Sequence, residues 1–321
     1  MASLKERLQA SPPRVITVIR TDRVGDLILS TPFLTVLRQA FPQATIAAIV
    51  DPYCQEVLAE SGLVDKILTD LPGEGQLPGP SDLTIALAPR TGSLKLARRT
   101  GAPLRLGYVY RGRPLVRLAA RFLLTHVEEV TVNPPHHVPH EIEQLDLLAR
   151  RLGLPPSTGL PLQLGFTADR VPGRVVFHLG DRWLAGGWSL SDLSDLLEGL
   201  RRFPDVQITA GPREEKMLAE GGLSLHGLRL RTNLAFEEWA QLLGSAEALL
   251  SPDTGAVHLA AAMKTPVVVG YEASTYEHCS RQWAPWMVPH RSVVKGAPGE
   301  TIPKLLAGLE ELVSNSRNGA T

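Results

Sequence analysis

Short runs of β-branched and small apolar residues recur along this chain, each followed by a stretch long enough for a helix. They are RVITVIR (14–20), TIAAIV (45–50), DLTIALA (82–88), GRVVFHL (173–179), DVQITA (205–210), ALLS (248–251) and TPVVVG (265–270). Runs so uniformly apolar are buried on both faces, and such strands with helix-length connections belong to parallel sheets covered by helices. The spacing predicts an α/β chain of doubly wound parallel sheets, and the runs fall into two sets. Between the sets, RLGLPPSTGLPLQLGFTADRVPG (151–173) is rich in proline and glycine without helical periodicity, which marks a linker. The domains are therefore read as 1–160 and 161–321, each Rossmann-like, with TIPKLLAGLEELVSNS (301–316) as a closing amphipathic helix. The two are expected to face a central cleft, with ligands beyond the carboxyl ends of the strands.

Charge and cysteine usage narrow the function classes. Lys+Arg 33 balance Asp+Glu 33, so a chain that coats nucleic acid by charge alone is excluded and any basic surface must be local. Cys54 and Cys279 stand far apart in no metal or redox spacing, which suits a reducing compartment. The first residues, MASLKERLQASPPR, contain no apolar leader and no run reaches membrane-spanning length, so a cytoplasmic location is expected.

Two loops carry the chemistry. In ALLSPDTGAVHLAAAM (248–263) a strand gives way to a helix, and Asp253, Thr254 and Gly255 sit at its N-terminal edge. Free backbone N–H groups and the helix dipole make that edge an anion site; the alternative is a simple Asp or Thr N-cap worth ~0.5–2 kcal/mol. In VITVIRTDRVGDLILSTPFLTVLRQAF (15–41), Gly25 and Asp26 fall at the corresponding turn. Asp26 is either an N-cap or a carboxylate aimed into the cleft. A single glycine in this loop lacks the dinucleotide fingerprint, although Asp51 after the second strand keeps a ribose-binding acid, and so a nicotinamide oxidoreductase, open. The cluster NPPHHVPHE (133–141) offers His136, His137 and His140, but Pro134, Pro135 and Pro139 forbid a helix that would align them, and no metal is expected.

With both loops in view the chain resembles glycosyltransferase family 9, the lipopolysaccharide heptosyltransferases. The resemblance rests on RTDRVGDLILSTPFLTVLRQAFP, HEIEQLDLLARRLGL (140–154) and SPDTGAVHLAAAMKTPVVVGYEAST, and the spacing of 82–108 and 232–249 extends it over nearly the whole chain. It implies a GT-B fold, an acceptor on the first domain, ADP-heptose as donor on the second, inversion at the anomeric carbon, no cofactor and no metal. By the same resemblance Asp26 falls on the general base. Asp253, Thr254 and Gly255 fall on the donor contacts, with His258 one helical turn beyond, and TAGPREEKML (209–218) borders the adenosine. Relatives carry a basic pair before a tryptophan in the loop after the first strand of the second domain. Here HLGDRWLAGGWSLSDL (178–193) has Gly186 and Gly187 before Trp188, which makes Arg182 the substitute cation. GYEASTYEHCSRQW (270–283) also departs from the family's Phe-Gly-Pro-Thr ending.

From Leu83 to Val127 there is no acidic residue but nine basic ones, a patch suited to an anionic lipopolysaccharide-core glycolipid. Arg23, Arg90, Lys95 and Arg98 are assigned to this acceptor. RPLVRLAARFLL (113–124) has arginines at helical spacing among apolar residues, so peripheral contact with the inner membrane surface is expected, and nucleic acid is not. The departures at Gly186 and Gly187 leave a second reading, a GT-B nucleotide-sugar-binding protein that no longer catalyses.

Overall fold

Both predicted sheets form, and every strand pairing within them is parallel. The computed structural model describes residues 3–69, 79–221 and 223–318. Its chain divides into two units, Met1–Gly165 and Phe166–Thr321. In the first, the strands are β1 (Val15–Arg20), β2 (Thr45–Val50), β3 (Lys66–Thr69), β4 (Leu83–Ala86), β5 (Leu104–Tyr110) and β6 (His126–Val130). They are joined by α1 (Leu4–Ala10), α2 (Val24–Ile28), α3 (Thr31–Ala40), α4 (Gln55–Ala59), α5 (Thr91–Arg99), α6 (Pro114–Leu123) and α7 (Glu141–Leu152). The second contains β7 (Arg174–Leu179), β8 (Asp205–Ala210), β9 (Arg229–Arg231), β10 (Ala248–Pro252), β11 (Val267–Glu272) and β12 (His290–Lys295). Its helices are α8 (Leu190–Leu200), α9 (Pro212–Gly221), α10 (Phe236–Gly244), α11 (Gly255–Ala262), α12 (Tyr276–Gln282) and α13 (Pro298–Asn318).

Strand order is β3-β2-β1-β4-β5-β6 in one sheet and β12-β11-β10-β7-β8-β9 in the other. Each sheet grows outward from its first strand and then restarts on that strand's other side. The switch points, where ligands bind in such sheets, therefore lie between β1 and β4 and between β7 and β10.

The seven runs read from sequence are all strands, and five further strands were not read. Four of these, β3, β6, β9 and β12, are sheet edges, where polar residues such as Glu128, Glu129, His290 and Arg291 are tolerated. The fifth, β5, mixes Arg105 and Gly107 with buried Leu106 and Tyr108. Gly107 is needed there because a Cβ would meet Leu124 Cδ1 at 2.8 Å. Pro252 is the last residue of β10, in register with Gly270. The closing helix α13 starts earlier than expected and contains Pro303. Residues 153–173 have no helix or strand.

The second unit's core joins Phe177, Leu250 and Val268 to Leu193, Leu196 and Leu200 of α8 and to Leu305, Leu309 and Leu312 of α13. A core of the first unit sets Ile19, Ile49, Ala86 and Val109 against Leu94 and Ala97 of α5 and Ala120 of α6. Burial of this kind, at about 25 cal/mol per Å², is what fixes the strand ends from which the loops leave.

Candidate active site

In the first unit, β1 is buried along its length and ends in Arg20, which is itself buried. The chain then turns through Thr21 and Asp22 into the short helix α2. Asp26 was considered as an N-cap. The N-cap is instead Arg23, and Asp26 occupies the third helical position. Its carboxylate lies 3.3 Å from Arg20 Nη2 and 3.4 Å from Arg23 Nε. Arg20 is shared further: Nη2 donates to Glu141 Oε1 at 2.9 Å, Nη1 donates to the Leu87 carbonyl, and Nε stands 2.8 Å from Asp22 Oδ1 as an ion pair without hydrogen-bond alignment. Tyr108 donates its hydroxyl to the same Glu141 oxygen at 2.9 Å. One buried guanidinium thus holds Asp22, Asp26 and Glu141 together at the switch point of the sheet.

Burial is the largest influence on Arg20 and opposes its charge, but Asp22 and Glu141 more than offset it, so its pKa lies above the ordinary arginine value. Asp22 behaves differently. Burial pushes its carboxyl up to about 6 from an ordinary 3.8, Arg20 pulls it back, and Asp26 and Glu141 raise it again. A folded pKa above the unfolded one means that folding favours the protonated form. The stabilising contribution is complete below 3.8 and is lost as pH rises through about 6. Asp22→Asn, which cannot titrate, is expected to flatten this fall in stability. Urea midpoints measured from acid to neutral pH check it, and parallel curves for wild type and variant would contradict the assignment.

The residues assigned to an acceptor separate into two groups. Arg23 is exposed beside Asp26, and Arg90 forms the N-cap of α5 with its charge felt at Asp22. Lys95 and Arg98 lie on the exposed side of α5. Part of the basic run is structural. Arg105 donates to the carbonyls of Leu123 and Ala102, while Arg111 and Arg117 both pair with Glu129. Asp51 is not poised for a ribose: its carboxylate accepts the Tyr53 N–H at 3.0 Å as the cap of the turn Pro52–Cys54. His140 likewise caps α7, its ring nitrogen facing the Ile142 N–H at 3.2 Å.

In the second unit, the loops after β7 and β10 meet at the other switch point. Thr254 is the N-cap of α11, yet its side chain makes no cap bond; the hydroxyl lies 3.2 Å from Ser251 Oγ instead. The N–H groups of Gly255 and Ala256 at the head of this helix have no intrahelical acceptor. Ala256, Ala260 and Ala261 are buried, as is His258, the fourth residue of the helix. Arg182, from the loop after β7, reaches Asp253 with Nη1 2.8 Å from Oδ2. The close approach of the two loops needs Gly180, where a Cβ would stand 3.1 Å from Pro252 Cγ.

Beside them a cavity of about 410 Å³ opens at the ends of β7 and β8, lined by His178, Thr209, Pro212, Asn233, Leu234 and Trp239. Burial lowers the His178 pKa to about 4, so the ring is neutral at pH 7, fixed 3.0 Å from Thr209 Oγ1 and 5.7 Å from the Trp239 ring. Glu214 serves the helix turn expected of it, accepting the Gly211 N–H at 3.1 Å, and also receives the Asp181 N–H at 3.3 Å.

The family model of glycosyltransferase family 9 (heptosyltransferase) matches residues 81–295, about two thirds of the chain. The chain belongs to glycosyltransferase family 9. Three solved structures share its fold. A family 9 glycosyl transferase from Veillonella parvula has a TM-score of 0.74 at 17% identity, covering 94% of this chain and 97% of its own. The ADP-heptose lps heptosyltransferase II of E. coli gives 0.69 at 19%, covering 94% and 99%. The E. coli heptosyltransferase WaaC, solved with ADP-2-deoxy-2-fluoro heptose, gives 0.68 at 17%, again covering 94% and 99%. The two doubly wound units of this family 9 chain are thus those of a GT-B glycosyltransferase.

Gly186 and Gly187 stand where the resemblance implies a basic pair. Gly186 has φ +72, and a Cβ there would stand 2.5 Å from Glu272 Oε2. Glu272 is in turn held by Lys295, whose ammonium donates to the carbonyls of Arg182 at 2.6 Å and Ala185 at 3.0 Å. It stacks under Trp183 and Trp188 at 5.9 and 5.4 Å. Lysine is therefore present at this loop, but from β12 and beneath it. Arg20, Asp22, Glu141, Tyr108 and Lys295 were missed because their cluster forms only when Glu141, Tyr108 and Lys295 meet partners far along the chain; the one local signal was an arginine closing strand β1 two residues before Asp22.

Proposed function

We propose that this family 9 protein is an inverting, metal-independent glycosyltransferase that moves a heptose-like sugar from an ADP-sugar to an anionic lipopolysaccharide-core glycolipid. The observation that carries this is the head of α11, where Thr254 leaves the helix without a side-chain cap and Asp253 brings a guanidinium alongside. Backbone N–H groups at 255 and 256, together with Arg182, suit the diphosphate of a leaving nucleotide, and fixed donors stabilise the charge that builds there without reorganising. The cavity between His178 and Trp239 suits the base, its neutral histidine adding no charge against a nucleotide.

In the first unit Asp26 acts as general base. The acceptor hydroxyl attacks the anomeric carbon, a carbon–oxygen bond forms as the bond to ADP breaks, and the proton passes to Asp26. Arg20 holds Asp26 in place, and Arg23, Arg90, Lys95 and Arg98 draw the acidic acceptor. With Asp51 occupied as a cap, support for a nicotinamide enzyme falls away. Gly186 and Gly187 in place of a basic pair are the one feature favouring a nucleotide-sugar-binding protein without turnover.

Melting with ADP or NAD, followed by an ADP-release assay over a panel of nucleotide sugars and truncated core acceptors, tests these readings. Protection by ADP and release that depends on both an ADP-sugar and an acceptor are expected. Protection by NAD alone overturns the proposal, and ADP binding with no release on any acceptor leaves the binding-protein reading.

A further inference from the structure

Helix α6 packs on the first unit through Val116, Ala120 and Leu123, which turn toward Leu94, Ala97 and Val109. Inward apolar residues are ordinary. The opposite side is not: Leu115, Leu118 and Phe122 are 81%, 54% and 75% exposed. Their spacing, i, i+3 and i+7, sets them in one stripe along the helix. Half of the exposed large hydrophobic residues of the described chain therefore lie on one ten-residue helix. Isolated exposed leucines are normal at a protein surface, but a lengthwise stripe that includes a phenylalanine is the pattern of an interaction face.

The charges around the stripe indicate what it meets. Arg121 lies beside it on the helix, and Arg111 and Arg113 precede it, all three exposed, with Arg113 resting 5.2 Å over the Tyr110 ring. The neighbouring α5, which packs on α6, adds exposed Lys95, Arg98 and Arg99. The nearest acids, on β6, are engaged: Glu129 by Arg111 and Arg117, and Glu128 by Arg151. An apolar ridge bordered by cations, with no acidic residue from Leu83 to Val127, complements a surface that is apolar within and anionic at its rim.

We infer that this face of α6 lies in the interface of an anionic lipid bilayer, with Leu115, Leu118 and Phe122 entering the acyl boundary and Arg113 and Arg121 at the headgroups. No helix of the described residues is long and apolar enough to cross a membrane, so the contact is one of lying on the surface. Lipid binding is read without donor or acceptor, which keeps its outcome separate from the transferase reading.

The test is co-sedimentation with vesicles of phosphatidylcholine containing phosphatidylglycerol, or of phosphatidylcholine alone. It compares the whole protein with Leu115→Ser/Leu118→Ser/Phe122→Ser and with Arg113→Gln/Arg121→Gln. All five changes are at exposed positions, and unchanged melting confirms that the variants fold. Wild type is expected to partition onto the anionic vesicles and to be released by salt. The serine variant should bind on the order of 100-fold less. The glutamine variant should lose roughly 10–30-fold, on anionic vesicles only. Equal partitioning of wild type and serine variant overturns the inference, as does a wild type that ignores both vesicles. A wild type that dimerises through α6 without binding vesicles assigns the stripe to a second copy and overturns it as well.

Discussion

Asp26→Asn lowers the turnover number of sugar transfer by ~10³-fold while leaving ADP binding within about two-fold, because a positioned base contributes ~10²–10⁴ and touches only the acceptor. The substitution is a fair test because of how Asp26 is held. It stands at the third position of α2 and is not the N-cap, which is Arg23. Arg20 keeps Asp22 and Glu141 as partners, so a buried cation is not left alone. Melting is therefore expected to move far less than activity. ADP release under saturating donor, measured beside a melting curve, decides the matter. Undiminished turnover removes Asp26 from the chemistry, and a loss of activity that tracks the unfolded fraction assigns it a structural role only.

Arg20→Met produces the largest loss of stability. Methionine fills much of the same volume, but it leaves Asp22, Asp26 and Glu141 buried around a position with no positive charge. Removing one member of a buried ionic group costs about 3–5 kcal/mol, and here one cation serves three anions. The pH dependence has a definite sign. Asp22 deprived of Arg20 has its folded pKa raised further above the unfolded one, so the variant is most stable in acid and weakens as pH rises. Urea denaturation of wild type and variant at acid and neutral pH measures this, and a variant whose deficit is the same at both would show that the guanidinium is not neutralising the cluster. Arg20→Lys retains the charge but not the fork that spans Asp22, Asp26 and Glu141, and should recover only part of the loss.

The sheet strands buried on both faces were legible because nothing but apolar residues fits there; Ile16, Val18 and Ile19 or Val267, Val268 and Val269 admit few other readings. Edge strands were not, since Lys66 or Arg229 is as acceptable at a sheet margin as in a loop. The start of α11 could be read from Asp-Thr-Gly alone, because these residues favour a helix N-terminus through the backbone. The missing side-chain cap on Thr254 could not be read, since it depends on Ser251 drawing the hydroxyl away. The carboxylate cluster was the least legible part. Arg20 and Glu141 are 121 residues apart, and only the placement of β1, β5 and α7 brings Tyr108 and both charges to one point.

Lys295 sits on an edge strand next to the last helix, yet its ammonium supports a loop 113 residues earlier in the chain. The segment Asp181–Gly187 thus leans on a residue from the far end of the second unit. Loss of the chain from Lys295 onward would remove that support together with the α13 leucines that fill the second unit's core.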